Sequence, residues 1–192
     1  GQEQDTALRQ FTGLFERLGL PPQQLNAVVD ALRNAQAEPG KDDANAPLRP
    51  KRVSQMAWLG LPASTVDALA PQVTILPVRT PVNLNTAQLD VLWAAIDGID
   101  LAGAQKLIAA RESRHFRRSD DVKEVLGANM LWDDQLHAIA SRYFEVRGRL
   151  RLGPSTVDEL SLVRKDGTVA TTLWRQRGVL DRDSAAAAQP LR

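Results

Sequence analysis

The chain has 192 residues, of which 43% are hydrophobic and 24% charged, and 24 Lys and Arg against 23 Asp and Glu leave a formal net charge of +1. That supplies a real core, excludes wholesale disorder, and removes any bulk electrostatic pull toward nucleic acid or an anionic membrane, so such a role falls to a local patch. The absence of cysteine excludes disulfides, thiolate metal sites and a cysteine nucleophile, and the two histidines, His115 and His137, cannot make a three-histidine zinc centre.

Leu8, Phe11, Leu14, Phe15 and Leu18 recur at helical spacing, with Gly19 at a C-terminal cap position and Pro21-Pro22 opening the next segment. Leu25, Val28, Val29 and Leu32 continue the period, so the first two helices form an antiparallel hairpin. Residues 36–52 are polar, with three prolines, and read as an exposed loop. Val53, Met56 and Leu59, then Val66 and Leu69, mark two shorter helices split by Gly60-Leu61-Pro62. Val73 to Leu76 suits a short strand, and Pro81 to Asn85 stays extended. Thr86 is placed to cap a helix carrying Leu89, Leu92, Trp93 and Ile96, which Gly98 ends. Further helices are expected over Ala102–Arg111, after Ser119 as cap, and over Leu131–Ala140.

Near Ser141 the period changes from 3.6 to 2. Phe144, Val146, Leu150 and Leu152 alternate with Glu145, Arg147, Arg149 and Arg151, which predicts a half-buried strand with an arginine-lined outer face. Gly153-Pro154 breaks it. Val157–Arg164 and Thr168–Arg175 are two more strands, joined through Lys165-Asp166-Gly167. The predicted organisation is a helical part over 1–72, an extended joining segment over 73–85, a second helical part over 86–140, a meander over 141–180 and an unanchored tail over 181–192. Helices first and an antiparallel meander last argue an α+β fold.

A turn recurs as Leu18-Gly19-Leu20-Pro21, Leu59-Gly60-Leu61-Pro62 and Asp97-Gly98-Ile99-Asp100, at spacings of about 40 residues. Tight helical hairpins need a left-handed glycine, which accounts for most of the likeness. The same pattern is how helix-hairpin-helix modules aim backbone N–H groups at a phosphate. Here the third turn position is Pro21, Pro62 or Asp100. Proline has no N–H and aspartate repels phosphate, so these are expected to be packing units.

The segments taken in order resemble the K-type minor pseudopilins of the bacterial type II secretion system. The likeness lies in Leu18-Gly19-Leu20 and the helix after it, Val73 to Pro77, Val82-Asn83-Leu84-Asn85-Thr86-Ala87 with Val91-Leu92, Ile108 to Arg111, and Ser141-Arg142-Tyr143-Phe144-Glu145-Val146 with the meander behind it. The resemblance implies a helical domain inserted in a pilin-type antiparallel sheet, capping the tip of a periplasmic pseudopilus with I-type and J-type partners and assisting its assembly. It implies no catalysis, possible contact with secreted substrate, and an N-terminal inner-membrane helix lying outside this chain. Some members bind calcium in the helical domain. The corresponding stretch here, Arg33 to Arg52, offers Glu38, Asp42 and Asp43 among Lys41, Arg49, Lys51 and Arg52, a poor set for an ion that takes six to eight oxygens, so no cofactor is expected.

No phosphate loop, dinucleotide fingerprint or nucleophile elbow occurs. His115 reads as a surface residue, His137 as structural, and the pairs Asp120-Asp121 and Asp133-Asp134 as helix-start carboxylates. Core packing is the expectation for Trp58, Trp93 and Trp132. Arg111, Arg114, Arg117 and Arg118 form a dense basic cluster, a candidate patch for an anionic partner. Trp174, Arg147 and Arg149 are candidate interface residues, with edge protection the plainer reading of the strand arginines. The alternative function is a helix-hairpin-helix nucleic-acid binder, supported by the Arg111–Arg118 cluster.

Overall fold

The computed structural model describes residues 2–35, 48–127 and 130–178. The chain divides into two compact units, Gly1–Ile139 and Ala140–Arg192. The first is helical with one two-stranded parallel sheet, the second a three-stranded antiparallel sheet, so the fold is α+β.

In the first unit, α1 (Gln2–Arg17) and α2 (Pro22–Ala35) are joined by the turn at Gly19. Gly19 takes the left-handed conformation at φ 63°. Its N–H donates to the Glu16 carbonyl (3.2 Å), and the Leu20 N–H donates to the Phe15 carbonyl (2.8 Å). This pair of bonds is a Schellman cap, which satisfies carbonyls that the helix end would otherwise leave open. Leu20, just past the glycine, then packs on the first core cluster. That cluster is built on Leu14, Phe15, Leu25, Val28, Leu59, Leu61, Val66 and Leu69. It is completed by a 3-10 segment, Val53–Leu59, and α3 (Ala63–Leu69). Thr65, buried in α3, donates to the Gln24 side-chain carbonyl of α2 (2.6 Å).

The second core cluster holds Leu84, Leu92, Ile96, Ala104, Leu107, Phe116 and Val122. Its elements are α4 (Leu89–Ala95), α5 (Leu101–Ser113) and α6 (Ser119–Leu126), with β1 (Val82–Asn83) pairing in parallel to β2 (His137–Ala138). The two clusters meet where α1 crosses α4. There Gly13 sits against Ala94, Gln10 donates to the Ala95 carbonyl (3.0 Å), and the Arg17 guanidinium lies over the Trp93 ring.

In the second unit, β3 (Tyr143–Leu152), β4 (Ser155–Asp166) and β5 (Val169–Gly178) form a meander with β4 central. Gly153-Pro154 and Gly167-Thr168 are two-residue loops whose glycines have φ 58° and 60°. Neither Pro154 nor Thr168 has positive φ, so both are glycine-first turns of the type whose twist suits a hairpin.

Several sequence expectations are corrected. Val73 to Leu76 is irregular, because the Val73 N–H bonds back to Leu69 and Val73 packs on the first cluster instead of pairing with a strand. The helix expected over Leu131–Ala140 is absent. The Asp133 carbonyl closes one turn by accepting from Leu136 and His137, and the chain then pairs with β1. Thr86 does not cap α4; its N–H and that of Ala87 bond to the Asn83 carbonyl, and Gln88 precedes the helix. Ser119 is the first residue of α6, with Arg118 before it. Trp58 is exposed, whereas Trp93 and Trp132, half-buried, do pack on the second core cluster as expected. The strand β3 is exposed on both faces, so its apolar row is not half-buried as the alternation predicts. Of the loop read over 36–52, residues 36–47 lie outside the described residues, as does the tail over 181–192.

An alanine Cβ at Gly19 meets nothing within 4 Å, so Gly19→Ala isolates the backbone cost. We expect it to lower unfolding free energy by about 1–2 kcal/mol, measured by urea denaturation, and Gly19→Asn to cost less.

Candidate functional site

The segment Asn83-Leu84-Asn85-Thr86-Ala87 is the junction of the second core. Leu84 is fully buried. Next to it, the Asn85 amide donates from Nδ2 to the carbonyls of Phe116 (2.9 Å) and Ile139 (2.8 Å), and its Oδ1 accepts from the Phe116 N–H (2.9 Å). One side chain thus ties three distant stretches of chain. Arg111 completes the junction, donating from Nη1 to the carbonyls of Leu84 (2.8 Å) and Ala87 (2.7 Å). Burial pulls its guanidinium below its ordinary range. Arg111 is therefore a structural tie and not part of an exposed patch, which corrects the sequence grouping.

The other three cluster residues do stand outside. Arg114, Arg117 and Arg118 are exposed, as is His115, while Phe116 between them is buried. Arg114 and Arg118 have extended backbone, at φ −155° and −143°. The backbone N–H groups of Arg117 (2.7 Å) and Arg118 (3.1 Å) donate to Asp121 Oδ2. These two bonds, first that from Arg117, hold the Asp121 carboxyl below its ordinary range.

The third hairpin turn shows why the helix-hairpin-helix likeness does not extend to phosphate. Asp100 caps α5, its carboxylate accepting from the Gly103 N–H at 2.7 Å. The donor that would face a phosphate is occupied by the chain's own anion. Beside it lies a cleft of about 350 Å³ lined by Ile96, Ile99, Gly103, Val125, Leu126 and Met130, with Asp97, Asp100 and Lys106.

His137 is buried on β2. Its Nδ1 accepts from the Asp133 N–H and its Nε2 lies on the Ala95 carbonyl, both at 3.3 Å. A ring accepting at Nδ1 and donating at Nε2 is neutral, and burial holds its pKa below the ordinary histidine value. Its role is structural, though on a strand and not on the predicted helix. Asp133 and Asp134 do not start a helix either; they accept from Gln135 N (2.8 Å) and Trp132 Nε1 (2.6 Å). Among the described residues no group of three or more His, Asp or Glu is placed to hold a metal ion. Glu38, Asp42 and Asp43 lie outside the described residues.

In the sheet, the register places Trp174, Leu162 and Glu145 in one row and Gln176, Leu160 and Arg147 in the next, followed by Asp158 with Arg149. Trp174, Arg147 and Arg149 therefore share a face. Trp174 is half-buried beside Leu162. Arg149 is held by Asp158 through bonds of 2.6 and 3.2 Å, which raise its pKa further. The opposite face carries Phe144, Val146, Leu150, Leu152, Val157 and Val163. Exposure along it reaches 70% at Leu150 and 80% at Leu152.

Two family models, both described as type II secretion system (T2SS), protein K, match residues 1–78 and 82–137. The chain belongs to the type II secretion system protein K family. A type II secretion system protein K from Pseudomonas aeruginosa is 30% identical over 183 residues, covering 85% of this chain and 55% of that protein. The chain thus spans about half the length of that relative. Among solved structures, the crystal structure of the GspK-GspI-GspJ complex from the enterotoxigenic Escherichia coli type 2 secretion system matches with a TM-score of 0.58 at 20% identity, over 91% of this chain and 70% of the matched one. At that identity the likeness is one of fold.

Sequence reasoning missed the amide of Asn85, the cap by Asp100 and the tie through Arg111. A signal was present for the first: an asparagine beside an apolar residue, two positions after another asparagine, reads as a side chain bonding locally to backbone. The Asn85 N–H does donate to Asn83 Oδ1 (3.1 Å).

Replacing Asn85 with alanine leaves two carbonyls and one N–H without their partner. We expect Asn85→Ala to destabilise the protein by about 3 kcal/mol in urea denaturation. A second expectation concerns pH. The folded-state pKa of His137 lies below its unfolded value, so the unfolded chain binds the extra proton first, and stability falls as pH drops below about 6.5. The loss continues until the folded form also takes up the proton. His137→Gln should flatten the melting temperature between pH 7 and pH 5.5, leaving the separate carboxylate losses of Asp121 and Glu159 at lower pH.

Proposed function

We propose that this chain is part of a minor pseudopilin that joins I-type and J-type pseudopilins in a complex at the tip of the type II secretion pseudopilus, for protein export. Membership of the protein K family supports the system, and a neighbour solved as a GspK-GspI-GspJ complex supports the choice of partners. The observation that carries the reading is the set of exposed apolar residues on one face of the sheet. Leu150 and Leu152 stand 70% and 80% exposed, and Phe144, Val146 and Val157 stand 45–49% exposed, all on that face. Glu159 with Arg175 and Arg177 lies on the same face between Phe144 with Val146 and Leu150 with Leu152, and exposed apolar groups bordered by polar residues mark an interaction site.

The role is binding and steric, without turnover. The helical unit, residues 1–139, is large beside the sheet unit, and bulk of that kind at one end of a filament opposes further subunit addition. That is the basis for a cap that also helps start assembly. Its place is the periplasmic side of the inner membrane, where secreted protein is a further contact. Among the described residues no helix is long and apolar enough to cross a membrane. The nucleic-acid alternative loses support from Asp100, which occupies the hairpin donor.

The test is light scattering on a sizing column, with the chain mixed with the soluble domains of the I-type and J-type pseudopilins at about 10 μM each. One discrete complex with a copy of each is expected. Separate elution of all three overturns the reading. Leu150→Asp with Leu152→Asp should leave the melting temperature of the chain unchanged, since both side chains are exposed, and weaken the complex by about tenfold or more.

A further inference from the structure

The arginines of the sheet and those of the α5–α6 loop are treated differently by their surroundings. Arg142 and Arg164 pair with Asp166 (3.3 and 2.7 Å), Arg149 with Asp158 (2.6 Å), and Arg175 and Arg177 with Glu159 (3.0 and 2.7 Å). Arg114, Arg117 and Arg118 have no carboxylate within 4.0 Å among the described residues. The nearby carboxylate of Asp121 gives its Oδ2 to the backbone N–H groups of Arg117 and Arg118 and pairs with none of the three guanidinium groups. Asp121 acts on Arg114 and Arg118 only through its charge and without a direct ion pair, so three exposed guanidinium groups on one short stretch share a single nearby carboxylate.

That stretch is also held in place. Phe116 is buried, and both its N–H and its carbonyl are bonded to the Asn85 amide. One or two residues further on, Asp121 fixes the backbone. The arginines project from a short strut of irregular backbone, bent at 114 and 118, that is pinned at its middle and at one end. A partner would not have to order this backbone, which lowers the cost of binding. All four Lys or Arg positions in 111–118 are arginine. The planar guanidinium matches carboxylate and phosphate as a two-pronged donor, unlike the point charge of lysine.

Two features favour carboxylate over polyphosphate. The hairpin N–H that would hold a phosphate is capped by Asp100. Exposed Glu112 and Asp120 flank the arginines, and their charge opposes the continuous phosphates of a duplex or a lipid surface. A protein segment escapes that conflict by alternating its acidic residues with neutral or basic ones. We propose that the strut Arg114–Arg118 is a docking site for a short acidic segment of a partner protein, bound by fork-to-carboxylate pairs from Arg114, Arg117 and Arg118. The site uses no residue of the sheet face, so it is tested independently of the tip complex.

The test uses the isotope-labelled full chain and a capped synthetic peptide with three glutamates spaced by glycines, beside the same peptide with glutamine. Amide and arginine side-chain resonances are followed at low salt and at about 0.5 M salt, where surface charge is screened. The expected result is shifts confined to 114–118 and their contacts, absent with the glutamine peptide and lost at high salt. Arg114→Gln with Arg117→Gln and Arg118→Gln should weaken binding by at least about tenfold at an unchanged melting temperature, while Arg149→Gln leaves it unaltered. Shifts confined to the sheet, equal shifts with the glutamine peptide, or an unaffected triple variant overturn the proposal. Tighter binding by a DNA duplex or by phosphatidylglycerol vesicles than by the peptide also overturns it, in favour of a phosphate partner.

Discussion

The amide of Asn85 is the constraint on which the second half of the helical unit depends. It satisfies both backbone groups of Phe116 and the carbonyl of Ile139. Those bonds link the start of α4, the loop after α5 and the end of β2, stretches that no single helix or strand connects. A backbone group buried away from water without a partner costs about 1–3 kcal/mol, so one side chain meeting three such groups does what a third strand would otherwise do. Arg111 serves the same junction from the other side, by accepting the cost of partial burial to donate twice into the turn at Leu84 and Ala87. Leu84, fully buried between these polar ties, is the apolar pin that the bonds hold in register.

This junction explains what was legible in the sequence. Periodicity located α1, α2 and α6, because each carries one apolar stripe in a local and repetitive way. The change to a period of two located the meander, and glycine at 153 and 167 located its loops. What escaped were segments whose conformation is dictated from elsewhere in the chain. Leu136 and Ile139 have helical spacing, but His137–Ala138 between them pairs with β1, and three residues of turn are all that Asp133 supports. Val73 to Leu76 has strand-forming residues with no strand beside them. At the candidate site, the density of arginine was visible while its division was not. Nothing in the order of residues 111–118 says that Arg111 points inward and its three companions outward, because that follows from where Leu84 and Ala87 present their carbonyls.

Charge is distributed by the same logic. The sheet pairs part of its charge internally: Glu159 sits between Arg175 and Arg177, which hold its carboxyl below the ordinary range, chiefly through the bond from Arg177. Exposed pairs of this kind contribute little stability, typically under about 1 kcal/mol. Eight Lys and Arg against four Asp and Glu over 140–178 still leave the sheet basic, which discourages edge pairing between strands. Exposed apolar contact is the other thing the sheet has to offer, along Phe144, Val146, Leu150 and Leu152. The helical unit does the reverse at Arg114–Arg118, where its nearby carboxylate is consumed by backbone.

The three glycine turns show how a helical hairpin sheds one function and keeps another. All three glycines are left-handed, at φ 63°, 88° and 76°, so the geometry that reverses the chain is retained. The bonding around them differs. Gly19 makes a full Schellman cap, Gly60 closes a 3-10 segment through the Ala57 carbonyl (3.0 Å), and Gly98 leads into a helix capped by Asp100. A phosphate-binding turn must leave its N–H groups open and its surroundings free of negative charge. Proline at 21 and 62 removes the donor, and Asp100 fills it. A cap of this kind is worth about 1 kcal/mol to the helix it starts, whether or not any ligand is present. The closed turn stabilises the unit at all times, whereas an open one contributes only when occupied.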